Sequence, residues 1–182
     1  MVTGQFEQPV PRLGPPVRKS ISLLTLLLAG LWFAQLQVSS LFLLQTYYTA
    51  SFQAYLILVT AWLGGALVGV WLRLPTPSLL WFTSFLTSAG LVQIWTAQWN
   101  LPIELSWSLL FISALPAGFL FRHHRRYWDN SGSMFFAEAT GFTIGLPVAT
   151  ILLMKNGVLF CHAVPYLGLL LLLISLKWGR KA

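Results

Sequence analysis

The sequence is short of charge, and of negative charge above all. Of its 182 residues only 8% are charged, and four are acidic: Glu7, Glu104, Asp129 and Glu138. A soluble domain carries about a quarter charged residues, so this chain cannot clothe a water-facing surface of ordinary size. Most of its surface must meet lipid or other membrane subunits. The shortage also bears on chemistry. No two acidic residues are close in sequence or share a helix face, so no acid/base pair is visible. Neither G-x-G-x-x-G nor G-x-x-x-x-G-K-[ST] occurs, so no nucleotide-phosphate cradle is visible. One cysteine, Cys161, cannot form an internal disulfide and says nothing about redox compartment. The expectation is a non-enzyme with no resident cofactor or metal.

What the chain has in abundance is apolar sequence: 57% hydrophobic residues and a mean hydropathy of +0.73. A membrane-spanning helix needs roughly 20 mainly apolar residues to cross a hydrocarbon core about 30 Å thick. Six such runs are present, at 21–44, 53–72, 78–97, 103–121, 134–154 and 158–176. Pro, Gly and charge fill the breaks: Arg73-Leu74-Pro75-Thr76-Pro77, Asn100-Leu101-Pro102, Arg122 to Arg126 with Asp129 to Gly132, and Lys155-Asn156-Gly157. The fold class expected is all-α, a polytopic integral membrane protein of six transmembrane helices. Residues 1–20 hold Pro9, Pro11, Pro15 and Pro16 and read as an extended cytoplasmic tail. Residues 21–178 form the membrane domain, and 179–182 a basic cytoplasmic end. The first run is long and lacks a clear small-x-small cleavage site, so it reads as an uncleaved anchor.

Positive charge tests this division. With the N-terminus cytoplasmic, the inner segments hold Arg12, Arg18, Lys19, Arg73, Arg122, Arg125, Arg126, Lys177, Arg180 and Lys181. The outer segments hold Lys155 alone among the 11 basic residues. This is a strong positive-inside bias, and it predicts a cytoplasmic (inner) membrane protein with both termini inside. The net charge of +7 is therefore no sign of nucleic-acid binding, because the basic residues sit in short clusters between apolar runs. Tryptophans fit interfacial belts: Trp71, Trp81, Trp128 and Trp178 inside, Trp95, Trp99 and Trp107 outside. Trp32 and Trp62 lie deeper and are expected to face protein.

Two helices carry small residues at four-residue spacing, which places them on one face. One has Ala61, Gly65 and Gly69, with Arg73 continuing the stripe; the other has Ala137, Gly141, Gly145 and Ala149. Such stripes let backbones approach closely in lipid. Generic packing explains them; a sharper expectation is that the two stripes pack on each other at the centre of the fold. Glu138 lies beside the second stripe and is the acidic residue inside a span. An ionisable group there is a functional candidate. A structural role near a helix N-terminus is the alternative, with Arg73 as the expected partner. Arg122, His123, His124, Arg125 and Arg126 are expected to meet lipid phosphates at the inner interface. His123 and His124 are adjacent, and His162 is a membrane's width away, so one chain offers no pair of axial haem ligands; a haem shared with a second subunit stays open. Cys161 beside His162 is too few ligands for a metal reading.

The segments AYLILVTAWLGGALVGVWL and FFAEATGFTIGLPVATILL resemble the membrane half of the spermidine-synthase-like integral membrane proteins. Phe135, Glu138, Ala139, Gly141 and Gly145 match that family's second glycine helix, and the likeness covers roughly residues 50–155. Pro147 departs from the pattern, where a second consecutive glycine is expected. The resemblance implies a membrane module without the soluble aminopropyltransferase-like domain of such proteins, so no catalytic residue is carried over.

Two functions follow as expectations. The first is a non-catalytic subunit that anchors or stabilises a larger membrane assembly, such as an electron-transfer or respiratory complex, with the lipid bilayer and other membrane subunits as partners. The alternative is a small-molecule transporter or carrier using Glu138, with Gln35, Gln37, Thr60, Ser84, Thr87, Ser88 and Gln93 along its path. The two small stripes occupy the middle helix of each three-helix half, which hints at an inverted repeat.

Overall fold

The structure, a computed structural model, describes residues 16–47, 52–73 and 102–181. The expected third span, 78–97, lies outside the described residues, as do positions 1–15, Trp81, Trp95, Trp99, Ser84, Thr87, Ser88 and Gln93. Every described element is helical: α1 (Pro16–Tyr47), α2 (Phe52–Trp71), α3 (Ile103–His124), a 3-10 turn (Arg125–Tyr127), α4 (Ser131–Asn156) and α5 (Val158–Lys181). These five α-helices are long and apolar enough to cross a membrane.

Helix boundaries run past the apolar runs, and local chemistry gives the reason. Pro16 occupies the first helical position of α1, where a missing N–H costs nothing, so Arg18 and Lys19 ride on the helix instead of in a tail. Asn130 caps α4 by accepting from the Gly132 N–H at 2.7 Å, and the helix starts at Ser131, earlier than its apolar run. Gly157 ends α4 with a φ of 54°, a backbone setting that suits glycine. Pro116, Pro147 and Pro165 all lie inside helices. Pro147 faces outward, and Gly145 beside it keeps its close approach to Leu31 and Ala34.

Two helix pairs dominate the packing, α1 with α4 and α2 with α3; α5 lies along another side of α1. The sharper expectation for the small stripes is therefore corrected. The stripe on α2 does not meet the stripe on α4. Gly65 sits against the Phe111 carbonyl and Ala114, and Gly69 against the Leu115 carbonyl and Gly118, all on α3. Gly141 sits against the Leu27 carbonyl, and Gly145 against Leu31 and Ala34, all on α1. Residue numbers rise together along both partners, so each pair is parallel. Each small stripe is satisfied by one partner backbone, which leaves no room for the other stripe.

The two pairs repeat each other. On α1, Leu27 meets Gly141, and Gly30 meets the Glu138 carbonyl and Phe142 N. On α3, Leu115 meets Gly69, and Gly118 meets the Ala66 carbonyl and Val70 N. Every spacing is kept between the two sets. α2 turns back from α1, since Leu44 near the end of α1 packs with Ala54 and Leu58 near the start of α2. The second pair is thus inverted relative to the first. α5 also turns back. Gly145 is level with Leu31 and Ala34, and Gly168, beyond the Gly157 turn, is again beside Trp32 and Gln35.

The core centres on α1. Trp32, Phe33, Leu36 and Leu43 pack with Trp62, Phe119, Phe160 and Leu172. Trp32 and Trp62 face protein as expected. The Trp32 indole donates to the Pro165 carbonyl at 2.9 Å, which satisfies its polar edge in an apolar setting.

A Cβ at Gly65 or Gly118 meets partner backbone, whereas at Gly64 it meets the Phe111 ring edge at 3.1 Å. Gly65→Leu and Gly118→Leu should each lower stability by at least the upper end of the ~1–3 kcal/mol that overpacking costs. Gly64→Ala should cost well under half as much, because a ring can shift and a helix backbone cannot. Thermal unfolding in mild detergent reads the difference; equal effects at Gly64 and Gly65 would remove the close α2–α3 contact.

Candidate functional site

The helix senses gather charge at one end of the bundle. Lys19 at the start of α1, Arg73 after α2, Arg122 in the last turn of α3, Arg125 and Arg126 just after it, and Lys177 near the end of α5 share that end. Lys155 lies at the other. The ion pair recorded among the described residues is Lys19 with Asp129, at 3.3 Å. The expected Glu138–Arg73 pair is therefore not made. α4 is held by α1 and α2 by α3, so the two residues ride on different pairs. Glu138 is half-buried on α4, with its backbone carbonyl against Gly30, and Arg73 is exposed at the end of α2.

The basic cluster divides by neighbour. Arg122 donates from Nη1 to the carbonyls of Val70, at 3.0 Å, and Trp71, at 3.2 Å. It neutralises the open carbonyls at the C-terminus of α2, where a cation is favoured. Arg126 donates to His123 Nε2 at 3.3 Å and lies over the Tyr127 ring. Arg125 reaches the Trp128 carbonyl at 3.5 Å and is exposed. His124 departs from the expectation of lipid-phosphate contact, because it is only 5% exposed. Its Nδ1 lies 2.8 Å from Ser22 Oγ, and the Trp128 indole donates to the same Oγ at 2.9 Å. A hydroxyl that accepts from an indole is well set to donate its own hydrogen to an imidazole nitrogen. His124 Nε2 is buried with no protein partner. The basic end of α3 is thus pinned to α1 through a hydroxyl that sequence inspection did not single out; Ser22 looks like any polar residue at the edge of an apolar run.

Beside this linkage lies a groove of about 490 Å³ between α1 and α4. Leu23, Leu27, Phe136 and Ala137 form its apolar walls, and Lys19 and Trp128 stand at its basic end. Lys19 Nζ is 5.8 Å from the centre of the Trp128 ring. Among the described residues no group of three or more His, Cys, Asp or Glu side chains is placed to hold a metal ion. Deeper in the bundle, Gln35 is buried against Gly168, with Oε1 lacking a protein partner. Gln37 is half-buried and Thr60 is exposed, accepting from the Trp107 indole at 3.3 Å.

Removal of the Ser22 hydroxyl leaves buried His124 Nδ1 and the part-buried Trp128 indole short of a partner. Ser22→Ala should cost about 1–3 kcal/mol, the usual penalty for a buried group left unsatisfied. A double-mutant cycle of Glu138→Gln with Arg73→Gln should show coupling no larger than about 0.5 kcal/mol, as for non-touching sites. Larger coupling would restore the pair rejected above.

No family model matches the chain, and no curated protein or solved structure matches it either.

Proposed function

We propose that this chain is a non-catalytic integral membrane subunit that anchors or stabilises a larger membrane assembly, an electron-transfer or respiratory complex being the type in view. In this reading it crosses the cytoplasmic membrane six times, with both termini inside. The observation that carries it is the locking of α1 on α4 and α2 on α3 at glycine–backbone contacts. Such contacts make a stiff bundle, suited to bracing neighbours. The outer faces are broad and apolar: Leu63 and Leu67 on α2, Phe136 and Met154 on α4, and Leu159 and Leu167 on α5 are all exposed. They suit lipid or other membrane subunits. An even number of crossings is supported by α2 and α3 running parallel, which leaves Trp71 and Ile103 at opposite ends of the bundle. The likeness of Phe135, Glu138, Ala139, Gly141 and Gly145 to the spermidine-synthase-like membrane half fits a membrane module of this kind.

The crossed, inverted helix pairs favour a second reading, a small-molecule transporter, because inverted repeats are a common plan of transporters. Glu138, half-buried on α4, is then the ionisable group that matters.

Gentle detergent extraction and native electrophoresis separate the two. Comigration with stoichiometric membrane partners is the result expected. A chain that travels alone, and whose proteoliposomes pass protons until Glu138→Gln is introduced, would overturn the subunit reading in favour of transport. Tags at the two termini should be reached from the same side; opposite sides would end the six-crossing topology.

A further inference from the structure

The groove between α1 and α4 is continuous with the basic end of the bundle, and its lining changes along its length. Ser20 and Leu27 are both in its wall on α1, and Ser133 and Thr140 on α4. Seven residues of helix span about 10 Å, so the slot runs from the polar end well into the depth of an apolar layer. Its inner walls are Leu23, Leu27, Phe136 and Ala137, and Phe136 is itself exposed. At the mouth stand an ammonium and an indole. Lys19 and Asp129 are 48% and 60% exposed, so their pairing leaves part of the ammonium open to a second anion. Trp128 is held upright by its bond to Ser22, which in turn meets buried His124. This wall is thus fixed by the bundle's own polar linkage rather than by contact with lipid.

We propose that this groove is a binding site for one anionic phospholipid, with an acyl chain between α1 and α4 and the headgroup phosphate on Lys19. Two features select this occupant. The slot is apolar along its depth and open at the side, which suits a hydrocarbon chain and not a soluble anion. The mouth carries the Lys19 ammonium, shared in part with exposed Asp129, at the end of the bundle where Arg73, Arg122, Arg125, Arg126 and Lys177 also gather. The balance of charge there is positive and favours a negative headgroup. Trp128 flanks the headgroup level, where an amphipathic ring is favoured. Ser22 and His124 are positioning residues, acting through Trp128.

The test is native mass spectrometry of the full chain in mild detergent, titrated separately with phosphatidylglycerol and phosphatidylcholine of the same acyl composition. The wild type should hold one phosphatidylglycerol per chain in preference to phosphatidylcholine by about five-fold, the worth of one lysine against an anionic surface. Lys19→Gln, which gives up an exposed ion pair worth little to folding, should erase the preference while leaving chain binding. Thr140→Phe should fill the slot and release both lipids, with a monodisperse profile on size exclusion showing that the bundle is intact. Lys155→Gln, at the other end, should change nothing. Equal affinity for the two lipids in the wild type would overturn the proposal, as would a preference that survives Lys19→Gln. Phosphatidylglycerol binding unchanged by Thr140→Phe would also overturn it, by reducing the site to surface charge alone.

Discussion

The approach of one helix backbone to another at glycine is the constraint on which the rest of this bundle depends. In lipid, apolar burial gives helices little reason to associate, because the tails are as apolar as leucine. What remains is close packing, and that requires the partner's carbonyls to come where a side chain would ordinarily stand. Gly30 and Gly141 supply this between α1 and α4, and Gly65, Gly69 and Gly118 between α2 and α3. Once both pairs are formed, the helix senses are fixed. So are the exposure of the outer leucines and the gathering of cations at one end.

The polar groups are arranged around that scaffold. Arg122 spends its guanidinium on the open carbonyls of α2, so it ties the end of α3 to its parallel partner. Ser22, His124 and Trp128 tie the same region to α1. These contacts sit at the basic end, where two helix pairs of opposite sense have to be joined. With its Nδ1 accepting from Ser22, the buried imidazole carries its hydrogen on Nε2, which has no protein partner, so that edge of the ring is where its burial costs stability. The groove beside it lies between α1 and α4 on the side of the Gly30, Gly141 and Gly145 contacts toward the helix beginnings, where Leu23 and Phe136 line it.

Parts of this were legible from residue order alone. Five of the six apolar runs gave the described helices, the deep Trp32 and Trp62 were rightly expected to face protein, and the small residues at four-residue spacing marked two faces of close approach. The partners of those faces were not legible. Gly30-x-x-x-Ala34 and Ala114-x-x-x-Gly118 carry the same small-residue spacing and were the available signal, but each is shorter and lies among large apolar residues. The likeness between halves was also hidden by register. Matched by their glycine pairs, Gly65 aligns with Gly141; in space Gly69 is the counterpart of Gly141, one helical turn away. Glu138 drew attention as a lone acid in a span, and its supposed companion Arg73 proved to belong to the other helix pair.

By itself the sequence determined that this chain belongs with membrane-spanning helices, since hydropathy and run length are properties of local segments and need no partner. It also determined how closely each face allows another helix to come, because that depends only on which side chains the face carries. Which helix takes the place was decided by tertiary structure alone. A stripe of small residues is permissive toward any backbone, and the choice rests on the shape of two surfaces brought together. The burial of His124, the exposure of Arg73 at the end of the other helix pair and the groove at Lys19 follow from that choice, so no reading along the chain could have supplied them.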